Sequence, residues 1–374
     1  MTYPPPNDHV PVDIDGADWS HLEPLYQSLI DRELKCAGCL EQLLIDRSEL
    51  DAAASEAQAE LYIRMTCHTD DEQATKAYLD YVEHVQPKLK DISFKLDRHI
   101  IQCPHLDDLD TDRYSVYTRN LEANIELFRE ENIPLQTEDT KLGQQYDEIN
   151  GAMTVDFQGE ERTMPQMGRF IQETDRSVRE SAWTAMVMRR YEDHDRIDSI
   201  FDEMVGLRHQ VALNAGHENF MEYAFAAMHR FDYRPEDCRQ FHEAARSICV
   251  PVYHQLNADR TTSLELDALR PWDLEVDIQG REPLRPFETA DELVDRSSRL
   301  FHRMDSSLGS MFDTLRGGDC LDLESRKGKA PGGYQYDRSR KRVPFIFMNA
   351  AGLHRDLETM VHEAGHAFHS FLAD

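Results

Sequence analysis

The apolar residues of this chain recur mostly at three- and four-residue steps, which predicts a largely helical body. Leu22, Leu25, Tyr26, Leu29 and Ile30 share one helix face, as do Tyr78, Tyr81, Val82 and Val85, so 19–102 reads as mostly helix. Pro87 should kink or break it, because proline lacks the backbone donor and crowds the preceding turn. Thr69-Asp70-Asp71-Glu72 supplies a helix start, with Asp or Thr as the cap. Cys103-Pro104 begins a turn that lasts to Thr111, and a helix over 114–132 is expected to end before Ile133-Pro134. Residues 152–159 alternate and then turn, as a short hairpin strand does. Helix returns over 175–230 and again over 236–259, where Pro251 should bend it. After a loop at 281–286, one more helix spans 291–315, with Thr289 and Glu292 placed for a capping box. No internal repeat interrupts this order.

Near the carboxyl end the period changes. Residues 333–337 and 342–348 flank the polar turn Arg338-Ser339-Arg340-Lys341 and predict a β-hairpin. Pro344 cannot donate to a ladder, so its strand is expected at an edge or paired on one side only. An exposed edge can take an extended peptide as an added strand; the other reading is a structural hairpin that covers the next helix. Gly332, Gly333, Tyr334, Phe345 and Phe347 are the candidate substrate-binding residues. The glycine turn is too short and too unlike a phosphate loop for nucleotide binding.

That next helix runs over 356–372. Leu357, Met360, Val361, Ala364, Phe368 and Phe371 form its apolar face, and Asp356 and Glu358 suit the positive end of its dipole. Its polar side carries His362-Glu363-Ala364-Gly365-His366, the HExxH signature of a zinc peptidase. Histidines four apart project from one side and can reach one metal ion. Glu363 is then the general base, set beside the water that zinc activates and off the metal itself. Gly365 costs about 1 kcal/mol relative to Ala inside a helix, so another backbone or the substrate is expected to come close there. A catalytic zinc usually takes three protein ligands. The pattern with Gly three and His six residues after the second ligand fails, because His369 and Leu372 stand there. The remaining class takes a Glu from a later helix. His369, about one turn beyond His366, reads as a neighbouring polar residue, with contact to the metal as the alternative. The competing reading of all five motif residues is a solvated face that happens to carry two histidines.

The flanking residues go further. Gly328-Lys329-Ala330-Pro331-Gly332-Gly333-Tyr334, then Pro344-Phe345-Ile346-Phe347-Met348-Asn349, then Thr359 through His369 resemble the thimet-oligopeptidase family of zinc peptidases, family M3, and most closely its oligoendopeptidase F branch. Leu269-Arg270-Pro271-Trp272-Asp273 looks like that family's short aromatic-Asp element, and Arg208 to Tyr223, with Ala212, Gly216, Phe220 and Glu222, is similar to one of its helix pairs. The segment from Ile149 to Arg179 resembles the branch's amino-terminal module. The resemblance implies a mainly α fold: a multi-helix, clam-like zincin body with a deep channel and a small β-hairpin or sheet next to the HExxH helix. It implies an endopeptidase that cuts short unstructured peptides, with one Zn2+ per complete site on His362 and His366. It divides the chain into a flexible tail (1–15), an amino-terminal helical region (16–110), an oligopeptidase F-type module (111–195) and an M3-type catalytic domain, incomplete at its carboxyl end (196–374). The family's third ligand, a Glu about 25–30 residues past the motif, is expected beyond residue 374. The later His and Tyr residues that bind the reacting carbonyl oxygen in such enzymes also lack counterparts. The alternative is therefore an inactive or incomplete relative that keeps the helical scaffold or peptide binding. The apolar face of the motif helix is then expected to wait for helices beyond 374 and to be exposed without them.

Charge and cysteines narrow the setting. Over 374 residues the formal charge is −30, which repels phosphate backbones and anionic lipids. Nucleic acid and membranes are not expected partners; short peptides, basic or neutral, are. No run of eighteen apolar residues occurs, and residues 1–15 have neither the basic start nor the apolar stretch of a secretory signal. Seven cysteines without a small-domain spacing fit reduced thiols in the cytoplasm. Cys36-Ala37-Gly38-Cys39 lies in a helical stretch with no strand before it, and reads as structural thiols. Nothing in the pattern fixes an oligomeric state.

Overall fold

Leu22, Tyr26 and Leu29 bury the inner face of α1 (Trp19–Ile30) against α2 (Ala37–Cys67) in the computed structural model, which describes residues 9–373. Cys36 caps the 31-residue α2, its sulfur accepting from the Cys39 amide at 3.2 Å. Asp71 caps α3 (Glu72–His84), accepting from the amides of Gln73 and Ala74. The helix breaks after His84, and Pro87 lies in the first turn of α4 (Gln86–Ile101), where its missing donor costs nothing. α5 (Thr111–Leu127) adds Leu121 to a core with Leu40, Leu96 and Ile100. Val10 is buried in the same core and Arg340 donates to the Pro11 carbonyl, so packed structure begins within the expected loose tail; residues 1–8 lie outside the described residues.

Pro134 opens a helix, α6 (Asn132–Gly151), instead of only marking the end of α5, which stops at Leu127. β1 (Thr154–Phe157) and β2 (Glu160–Thr163) form the hairpin, turned by Gln158 and Gly159, both at positive φ as a two-residue hairpin loop requires. Thr163 and Gln166 then form a reciprocal capping box on α7 (Met164–Ile171). α8 (Arg176–Glu192), α9 (His194–Asn214) and α10 (Phe220–Ala227) divide the next helical stretch. Arg208 on α9 pairs with Asp139 on α6 at 2.9 Å. α11 (Pro235–Ala244) runs through a π turn at 245–249 into α12 (Val250–Ser263), and Pro251 sits just after that turn. The wider turn accommodates the proline whose ring would clash in a regular helix. The aromatic-Asp element is a staple: Asp273, fully buried, accepts from Arg176 at 3.0 and 2.9 Å and from Arg179 at 3.1 Å.

The helix expected over 291–315 is two, α13 (Ala290–Met304) and α14 (Ser306–Gly317), because Asp305 caps the second. The Thr289 box is half formed: Thr289 accepts from the Glu292 amide, while the Glu292 carboxylate takes the Glu288 amide. The sheet holds three strands in the order β3 (Leu321–Glu324), β5 (Phe345–Ala350), β4 (Tyr334–Tyr336). The β4–β5 hairpin is antiparallel, with Tyr334 opposite Phe347 and Tyr336 opposite Phe345. β3 pairs parallel with β5 and is an addition to the sequence reading. β5 is thus central, not an edge: Pro344 precedes its first residue, so no ladder donor is lost. The edge beside the motif helix is β4.

That helix, α15 (His354–Ala373), buries Met360, Ala364, Phe368 and Phe371 on Ile346, Met348 and Ala350 of β5 and on Phe301 and Phe312 of α13 and α14. Phe301 meets Phe368 edge to face at 4.9 Å. The face expected to await later helices is therefore covered by earlier ones. Exposed apolar side chains include Phe241 of α11, Ile248 of the π turn and Val250, Val252, Tyr253 and Leu256 of α12, and neither α11 nor α12 buries a residue. Among the described residues no helix is long and apolar enough to cross a membrane.

Candidate metal and peptide site

The turn from β5 into α15 sets the height of the motif. Gly352 takes φ 86° there, against the Phe287 carbonyl. The Asp356 carboxylate accepts from the amides of Ala351 at 2.7 Å and Leu353 at 2.8 Å, fixing the first turn of the helix. Burial nevertheless pushes its carboxyl above the ordinary range. Two turns on, His362 and His366 project from the exposed side, their rings nearly perpendicular and their Nε2 atoms 3.1 Å apart. Two imidazole nitrogens bound tetrahedrally to one zinc ion stand about 3.3 Å apart. The pair fits that ion in both donor type and convergence. Among the described residues no group of three or more His, Cys, Asp or Glu side chains is gathered to hold a metal. His369 is exposed one turn further on and lines a cavity of about 880 Å³ between α2, α5 and the 337–344 turn.

Glu363 is buried between the two histidines in sequence and faces β4. A Cβ added to Gly333 would lie 3.9 Å from Glu363 Oε1 and 3.3 Å from both Thr359 and the Phe347 carbonyl. The missing side chain keeps the backbone of the edge close to the carboxylate. No hydrogen bond or ion pair among the described residues occupies that carboxylate. Asn349 on β5 donates its side-chain amide to the carbonyls of Ala330 at 2.8 Å and Gly332 at 2.9 Å, which holds the glycine turn in place.

Gly333 is therefore brought to Glu363, and Gly332 is its neighbour in the turn that Asn349 holds. Tyr334, Phe345 and Phe347 point to the opposite face of the sheet. There Tyr334 stacks on Phe347 at 4.6 Å, its hydroxyl bonds Thr66 of α2 at 2.6 Å, and Ile63 and Cys67 complete the cluster. Alternation puts Ile346 and Met348 toward α15 and the odd-numbered aromatics toward α2. Nothing among the described residues approaches Gly365, so no second backbone explains that glycine. Two supports escaped the sequence reading, Asn349 and Lys329, although both stand inside the quoted run. Their partners lie up to 19 residues away and carry no local signal.

A model described as peptidase family M3 matches residues 169–374, and one described as the peptidase M3 N-terminal domain matches 12–128. No curated protein matches the chain. Its fold is similar to the crystal structure of a protein of Bacillus anthracis str. Ames assigned as an oligoendopeptidase F, at 25% identity and TM-score 0.90, over 95% of this chain and 65% of that one. A second structure assigned as an oligoendopeptidase F gives 25% identity and 0.89, over 94% and 62%. Pz peptidase A with an inhibitor shares the fold, at 24% identity and TM-score 0.89, again over 94% and 62%. The chain thus spans less than two thirds of the length of these relatives.

Proposed function

The chain belongs to peptidase family M3, and from that premise we propose that it forms the zinc- and peptide-binding part of an endopeptidase acting on short unstructured peptides. The observation that carries this reading is the convergence of the His362 and His366 Nε2 atoms beside a buried Glu363 that faces the Gly333 backbone. His362 and His366 hold the metal. A zinc ion bound there would polarise a water molecule and a peptide carbonyl. Glu363 takes a proton from the attacking water onto a carboxylate oxygen and later gives it to the leaving amine. The β4 edge from Gly332 onward aligns the peptide as a further strand, and Tyr334, Phe345 and Phe347 support that edge from behind. All seven cysteines are unpaired, which supports a cytoplasmic setting.

A second reading, peptide binding without turnover, is favoured by the lack of a third clustered donor among the described residues. Zinc-supplemented polypeptide of residues 1–374 should be assayed with a quenched fluorogenic peptide, with and without chelator. Chelator-sensitive hydrolysis that disappears in Glu363→Gln, with zinc still bound by metal analysis, supports the enzyme. Peptide binding without such hydrolysis supports the second reading. Loss of zinc in Glu363→Gln shows that its role is assigned wrongly, and His362→Ala should lose zinc in either case.

A further inference from the structure

A second cavity, of about 220 Å³, opens where the loop before β4 meets α6 and α8. Its walls include Asn150, Arg190, Arg326, Lys329, Gly332 and Asn349. Acids make up 71 of the 374 residues, about one in five, yet none lines this cavity. Two of its three cations share a single carboxylate: Arg326 reaches Asp322 at 2.7 Å and Lys329 reaches the same group at 2.9 Å. Arg190 has no acidic partner among the described residues. Three cations against one carboxylate leave the walls net positive, inside a chain of charge −30.

Gly332 belongs both to this cavity and to the turn that Asn349 holds beside Glu363. An extended backbone advances about 3.3 Å per residue. A peptide lying on the β4 edge with its scissile bond near Glu363 therefore reaches the cavity within a few residues. We propose that this cavity is a specificity subsite for a peptide carboxylate, read by Arg190. The proposal rests on the reading of β4 as the peptide edge. The shared chemistry is a single carboxylate, supplied either by an acidic side chain or by the peptide's own carboxyl terminus. The long-range field of the protein opposes anionic peptides, so the subsite acts at short range on one group and does not attract polyacidic chains.

The test is fluorescence anisotropy with labelled six- to eight-residue peptides and the zinc-supplemented chain. One arm compares a free carboxyl terminus with its amide. The other places Glu or Gln at each interior position in turn. In at least one arm the carboxylate peptide should bind about tenfold tighter than its neutral counterpart. That preference should vanish in Arg190→Gln, whose melting temperature should match the parent because Arg190 is exposed and unpaired. Which arm responds identifies the source of the carboxylate. Equal binding of charged and neutral peptides, or a preference that survives in Arg190→Gln, overturns the subsite and leaves peptide binding on β4 intact. Failure of every peptide to bind, charged or neutral, overturns the edge-strand reading and the subsite with it.

Discussion

Lys329 sets its ammonium 2.9 Å from Asp322 Oδ1 with its own side chain wholly out of water. The same nitrogen donates to the carbonyls of Asp322 and Glu324, both at 3.0 Å, and to that of Met348, over the ring of Phe347. One side chain thus ties β3 to β5 and fixes the start of the loop that leads to Gly332. Burial alone would raise the Asp322 carboxyl; hydrogen bonds from Arg326 and Lys329 overcome it and hold the group well below the usual carboxylate range.

Lys329→Met should therefore destabilise the chain by about 3 kcal/mol, the scale of breaking a buried pair. The loss covers the contacts of the ammonium with three carbonyls as well as the ion pair. Urea unfolding would show it as a lower midpoint. A midpoint within error of the parent would mean that the loop and sheet hold together without this clamp.

Asp147 on α6 gives the opposite electrostatic case. It is half-buried near Tyr62 and Tyr78 with no ion-pair partner among the described residues, and burial pushes its carboxyl up to about 6. An unfolded Asp titrates near ~3.9. Between these values the folded chain holds the proton and the unfolded chain has released it. Stability from this group is present below about pH 4, falls as pH rises through 6, and stays reduced above. Asp147→Asn should be more stable than the parent at pH 7.5, with the difference closing toward pH 4. Paired urea titrations across that range would check it; a variant less stable at pH 7.5 would show that the charge is favourably held.

How much of this was legible depended on whether the signal is local. That His362, Glu363 and His366 share one helix is read from spacing alone. The β4–β5 hairpin is also legible, since both strands and the turn are contiguous. α6 is not legible in the sequence because Pro134 marks a helix stop as readily as a first helical turn, which proline suits equally well. α13 and α14 merged because Asp305 is a cap that interrupts no apolar period. β3 has four residues, too few to show alternation, and its partner lies past an intervening strand. The amphipathic pattern of α15 required a buried face and could not say that α13, α14 and β5 bury it. The charge balance around Arg190, Arg326 and Lys329 exists only once α8, β3 and the loop before β4 meet.

Phe241, Ile248, Val252 and Leu256 are spaced by seven, four and four residues, which lines them along one side of α11, the π turn and α12. All four are largely exposed, Phe241 at 73% and Leu256 at 61%. A contiguous apolar stripe of this kind marks a surface that another protein segment covers, or one that promotes self-association. A polypeptide of residues 1–374 should accordingly enhance the fluorescence of a hydrophobic dye in its native state and elute broadly on size exclusion. Phe241→Ser with Leu256→Gln should reduce both effects. The melting temperature should hardly move, because substitutions at exposed positions usually stay within about 0.5 kcal/mol. A monodisperse parent that ignores the dye would show that the stripe is too interrupted to act as a patch. A large loss of stability in the double variant would show that these side chains are packed in solution, against this chain or a second copy of it.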